Sequence, residues 1–178
     1  MKGSFLVEPN KEYQESFREY VLVYRDINDK DYYKIYEKSL ENFEEYINDL
    51  YNYSLGINLP EGMVKTSTFW MIDNDVVIGV VRVRHQEMEL YGHIGYDISP
   101  YYRNKSYGTQ ILCLALQKAK EIGIKEPIIT CEVNNIASKK TIEKNNGKLL
   151  DIIFDEKDNV DVCKYSITIW TSWVTIFK

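Results

Sequence analysis

The chain is poor in the residues that reinforce small folds: its 178 positions hold three cysteines, four prolines and two histidines. Cys113, Cys131 and Cys163 are an odd set with no Cys-x-x-Cys pair, and each lies in an apolar run. They read as buried thiols and exclude a disulfide framework. His85 and His93 lack acidic or cysteine partners at ligand spacing, so no metal is expected. No apolar run approaches the ~20 residues that span a bilayer. The opening MKGSFLVEPNKEY turns polar too soon for a signal peptide, so a cytoplasmic protein without a membrane partner is expected. Positive charge is also short: Lys+Arg 22 against Asp+Glu 27 leaves a net charge of -5, without the basic field that draws proteins onto nucleic acid.

What is present is globular. With 44% hydrophobic and 28% charged residues, the chain can bury a core unaided, and one domain over residues 1–178 is expected. Ser4 to Val7 reads as a strand. Asn10 can cap a helix carrying Tyr13, Phe17, Tyr20, Val21 and Tyr24 at helical spacing. A second helix is predicted from about Asp31, with Tyr36, Leu40, Phe43, Ile47 and Leu50 along one face and acidic residues elsewhere. Phe69 to Ile72 and Val76 to Val83 form a predicted hairpin around Asp73-Asn74-Asp75, and a strand follows at His93 to Ile98.

The next helix holds Ile111, Leu112, Ala115 and Ala119 and ends at Gly123. Ile128 to Cys131 is a strand, Asn134 a cap for a short helix through Lys144, and Leu149 to Phe154 and Val162 to Trp170 are closing strands. The strand-helix-strand passage from 93 to 131 predicts a parallel pair with a right-handed crossover in a largely antiparallel sheet. This is a mixed α/β, or α+β, domain.

Residues 103 to 109, RNKSYGT, put two cations, a serine and a glycine at the mouth of a helix in an acidic chain. The first amides of a helix lack intrahelical partners and sit at the positive end of its dipole, so the position suits a phosphate or diphosphate. Gly108 permits close backbone approach. Arg103 and Lys105 add charge, and Ser106 and Thr109 add hydroxyl donors. A solvated helix start has the same composition. Neither GxxxxGK[ST] nor GxGxxG occurs, so nucleoside triphosphate and NAD binding lack their usual motifs.

HIGYDISPYYRNKSYGTQIL followed by ITCEVNNIASKKTIEKNNGKLL resembles the GNAT-type N-acetyltransferases, whose turn reads Arg/Gln-x-x-Gly-x-Gly/Ala after a strand ending before proline. The order of flanking elements is similar too, so the resemblance spans most of the chain. It implies a mostly antiparallel central sheet of six or seven strands flanked by about four helices, with acetyl-CoA as cosubstrate. By the same resemblance the backbone of Asp97 and Ile98 would face the pantetheine arm. The amides of Asn104, Lys105, Ser106, Tyr107, Gly108 and Thr109, with Arg103 beside them, would hold the diphosphate, and Asn134 would reach the pantetheine or the acyl region, with Ser138 beside it on the helix. Two positions depart from the family pattern: Ser106 replaces a usual glycine, and Ile142 stands where many members carry the tyrosine that protonates the departing thiolate.

Direct acetyl transfer to a primary amine of a small molecule or peptide is the expected activity, with a noncatalytic CoA-binding or regulatory module as the alternative. Amine attack needs a base, an acid and oxyanion donors. His93 is a candidate base and Tyr96 a candidate acid or oxyanion donor, with Glu87 and Glu89 acting through water as further options. Because alternate side chains of a strand point to opposite faces, His93 and Tyr96 can share a cleft only if a bulge intervenes. The tail WTSWVTIFK suits either an extended strand or a dimer surface, which leaves a homodimer open.

Overall fold

The computed structural model describes residues 3–169. Two antiparallel sheets are surrounded by helices. The first has the order β1-β2-β3-β4, built from β1 (Phe5–Val7), β2 (Thr66–Asp73), β3 (Val76–Met88) and β4 (Gly92–Ile98). The second has the order β5-β7-β6, from β5 (Ile128–Glu132), β6 (Lys148–Asp155) and β7 (Val160–Ser166). The helices are α1 (Gln14–Asp26), α2 (Lys30–Tyr36), α3 (Lys38–Glu41), α4 (Phe43–Leu55), α5 (Tyr107–Ile122) and α6 (Ile136–Lys144).

The hairpin forms as its sequence predicts. Asn74 and Asp75 both take positive φ, 47° and 63°, the conformation a tight two-residue hairpin needs. Both faces of β2 are covered, which is why its middle is continuously apolar. Phe69 and Met71 enter one core with β4, α5, β5 and β7, while Trp70 and Ile72 enter another with α1, α2 and α4. In the second core Phe17 stacks on Trp70 with ring centroids 4.2 Å apart. The single second helix expected from Asp31 is broken into three. Asn42 leaves helical geometry at φ -145° and its side chain accepts from the Glu45 amide, so the amphipathic pattern carries on while the backbone restarts as α4.

The expected parallel pair is the main departure. β4 and β5 lie side by side, but among the described residues no ladder joins them. Two side-chain hydrogen bonds link β5 to β4 and the turn before it: the Ile128 amide donates to His93 Nδ1 at 3.0 Å, and Thr130 Oγ1 donates to the Leu90 carbonyl at 2.8 Å. Gly92 is required here, since it has φ 57° and a Cβ would lie 2.4 Å from the Ile128 oxygen. The imidazole thus holds the amide that would start a ladder, and β4 and β5 stay in separate sheets. The last predicted strand ends at Ser166; Trp170 and the tail on which the dimer reading rests lie outside the described residues. No helix among the described residues is long and apolar enough to cross a membrane.

Candidate active site

A cavity of about 500 Å³ opens between the end of β4, the start of α5 and the length of α6. Its α5 end is the RNKSYGT turn. Asn104 and Ser106 both adopt left-handed backbone, φ 62° and 66°, and α5 starts at Tyr107. The serine at the usual glycine position thus keeps the glycine-like angle. The turn carbonyl of Ser106 accepts the amides of Thr109 and Gln110, whereas the amides of residues 104–108 have no acceptor among the described residues. Five unpaired donors at a helix start make an anion-receiving surface. Gly108 lines this surface, and a Cβ there would stand 3.2 Å from Thr141 Oγ1 on α6.

The flanking cations are only partly those the sequence singles out. Arg103 lines the cavity but donates its Nε to the Ile98 carbonyl at 3.0 Å. Lys105 points away, to the Tyr101 carbonyl and the Tyr102 ring, and Tyr107 sends its hydroxyl to Asp73. Lys140 and Lys144 of α6 line the cavity in their place. Together with Ala137 and Thr141 they form one face at i, i+3, i+4 and i+7, a helical period legible in the sequence. Asn134 is exposed in the turn before α6, and it is Asn135 that accepts the Ser138 amide at 3.0 Å, caps the helix and lines the cavity beside Ser138.

Tyr96 and Asp97 are neighbours with opposite orientations, yet both line the cavity, because it sits at the open edge and end of β4 and reaches both faces. No bulge is needed. The Tyr96 hydroxyl is buried without a hydrogen-bond partner among the described residues. Burial pushes its pKa up to about 12, and the nearby Ser138 and Thr141 hydroxyls ease that rise without reaching hydrogen-bond geometry. His93 does not line the cavity: its Nδ1 is occupied by Ile128, and burial lowers its pKa. Glu87 pairs with Lys164, and neither it nor Glu89 lines the cavity. Ile142, at the usual tyrosine position, is wholly buried in the core.

The arrangement around the Asp97 side chain escapes sequence reading. Its carbonyl faces β3, 2.9 Å from where a Cβ on Gly79 would sit, so the expected backbone contact with a pantetheine arm is not what Asp97 offers. Its carboxylate accepts from Tyr20, from Tyr24 at 3.0 Å and from Tyr36 at 2.6 Å, and Arg82 Nη1 stands 3.6 Å away. Arg82 also donates to the Tyr36 hydroxyl at 2.6 Å. Burial, and after it the Asp97 charge, holds the Tyr20 and Tyr24 hydroxyls well above the ordinary tyrosine value, so both remain protonated donors. Helical spacing identifies these tyrosines as core residues but says nothing of where their hydroxyls meet.

Two antiparallel sheets, of four and three strands, flanked by helices match the fold of the GNAT-type acetyltransferases. The chain belongs to that family: the family model for the acetyltransferase (GNAT) domain matches residues 14–148. No curated protein matches it by sequence. Among solved structures it is similar to RimL, the ribosomal L7/L12 alpha-N-protein acetyltransferase, in complex with coenzyme A. Identity there is 17% over 95% of this chain and 96% of that one, with a TM-score of 0.72. The Salmonella typhimurium acetyl transferase that modifies the N-terminal serine of L7/L12 aligns at 14% identity over 95% and 96%, TM-score 0.66. The microcin C7 self immunity acetyltransferase MccE, bound to acetyl-CoA and AMP, aligns at 18% identity over 95% and 94%, TM-score 0.63. At these identities the likeness is one of fold.

Proposed function

We propose that this protein transfers the acetyl group of acetyl-CoA directly to a primary amine of a small molecule or peptide, with both substrates bound at once. The observation that carries the reading is the cavity itself, in which unpaired amides at one end adjoin a buried, unpartnered phenol. The coenzyme A bound to RimL and the acetyl-CoA bound to MccE support the donor. The amino terminus that RimL acetylates supports an amine acceptor.

In this reading the amides of residues 104–108 receive the diphosphate, with Lys140, Lys144 and Arg103 supplying charge. The thioester lies beside Tyr96, Ser138 and Asn135. The neutral amine attacks the thioester carbon: a C–N bond forms, the C–S bond breaks, the nitrogen loses a proton and the departing thiolate gains one. A phenol with a pKa near 12 is protonated at neutral pH, so Tyr96 acts as a donor to the developing oxyanion or the thiolate. His93 has no part in the transfer, because its accepting nitrogen is already occupied.

Release of free CoA thiol over a panel of amines, alongside calorimetry with acetyl-CoA, tests the assignment. Turnover is expected, and Tyr96→Phe should lower kcat about 100-fold, the scale for removing one oxyanion donor, with little change in acetyl-CoA affinity. Binding of acetyl-CoA without release to any amine would instead identify a noncatalytic module.

A further inference from the structure

Two carboxylates line the cavity, Asp29 and Asp97. They differ in what they have left to offer. Asp97 takes hydrogen bonds from three tyrosines and faces Arg82, which fills the roughly four lone-pair positions of a carboxylate. The carboxylate of Asp29, half-buried where α1 turns into α2, accepts a single hydrogen bond, from the Tyr32 amide at 3.2 Å. It makes no ion pair among the described residues. Tyr32 also lines the cavity, and its ring stacks on Tyr24 at 5.1 Å, so the Asp97 network fixes this corner in place. Arg103 also lines the cavity; its Nε donates to the neutral Ile98 carbonyl, its charge is retained, and it makes no ion pair with Asp29.

The cavity is therefore of mixed sign: amides, Arg103 and lysines line it beside α5 and α6, and a carboxylate without an ion-pair partner stands with a tyrosine ring at the α1–α2 corner. Such a pair recognises an ammonium. The attacking nitrogen cannot be that ammonium, because it must be neutral to expose its lone pair. Resting on the acetyl-transfer reading above, we propose that Asp29 and Tyr32 form a specificity site for a second, protonated nitrogen of the acceptor. The acceptor class is then a primary amine that carries another cationic group, an α,ω-diamine being its simplest member. One nitrogen is held as the ammonium at Asp29 while the other takes the acetyl group, losing its proton as the C–S bond of the donor breaks.

Asp29 also caps α2, and a capping role alone would explain its presence. Asparagine caps a helix as well as aspartate does, so Asp29→Asn removes the charge and keeps the cap. The test compares kcat/KM for a series of α,ω-diaminoalkanes with that for the n-alkylamine of equal chain length, in the wild type and in Asp29→Asn, with thermal unfolding confirming that the variant is folded. The wild type should favour the best diamine by about tenfold or more, the least that a charge-assisted hydrogen bond contributes. Asp29→Asn should bring the ratio near one, chiefly through a rise in the KM for the diamine. Equal use of diamine and monoamine by the wild type, or a preference that survives in Asp29→Asn, overturns the inference and leaves acetyl transfer standing. If acetyl-CoA binds and no amine of either kind releases CoA, the underlying reading fails and this one with it.

Discussion

Ser106 and His93 show how one residue's setting decides its role. Ser106 holds a left-handed angle, φ 66°, at the mouth of the cavity, where a Cβ is disfavoured. Ser106→Gly should therefore stabilise the fold by a net gain under about 1 kcal/mol, since relief of strain is partly offset by glycine's entropy. Acetyl-CoA affinity should hold or rise; calorimetry and thermal unfolding read both. His93 ties β4 to β5 only as a neutral ring, because Nδ1 must accept the Ile128 amide. Burial lowers its pKa below 6.5, so as the pH falls the unfolded chain takes up the proton first. Its contribution to stability is complete above pH 6.5 and declines as the pH drops toward the lowered folded value. His93→Asn retains an accepting atom without the titration. The difference in melting temperature between the two proteins should change across that window and be flat above it, and a constant difference would remove His93 from the acid response.

At the scale of elements, α6 is set by its sequence except at its first residue. Its existence and its end at Lys144 follow from spacing, but two adjacent asparagines precede it, and local sequence does not fix which one is the cap. Asn135 caps, so Asn135→Ala should cost about 1 kcal/mol in denaturant unfolding, and Asn134→Ala almost nothing. The lysines at 140 and 144 share a face with Ala137 and Thr141, and that face lines the cavity. Replacing both with alanine should weaken acetyl-CoA binding and flatten its salt dependence, because two cations near the anion are lost. An unchanged salt slope would place them outside the anion's field. The second helix fails differently: its apolar period continues through Asn42, but the asparagine side chain captures the Glu45 amide and ends one helix while starting the next.

For the whole molecule, the Asp97 carboxylate joins α1, α2, β3 and β4 at one point on the cavity wall. Asp97→Asn would leave Arg82, beside Tyr36, without its countercharge. A loss of about 3 kcal/mol is expected in denaturant unfolding, the scale for removing one partner of a buried ion pair. A loss well under that would mean the tyrosines hold the helices without the charge. The hairpin at 73–75, the apolar run of β2, and the turn at 103–109 that opens α5 were all legible in the sequence alone. Each depends on neighbours along the chain: side-chain period, turn residues, helix ends. Only the tertiary structure decided that Tyr20, Tyr24 and Tyr36 converge on Asp97, that His93 serves the sheets, and that Asp29 faces the cavity with charge to spare. Those facts depend on which distant segments meet and on which hydrogen bonds are already taken, and no local periodicity carries that information.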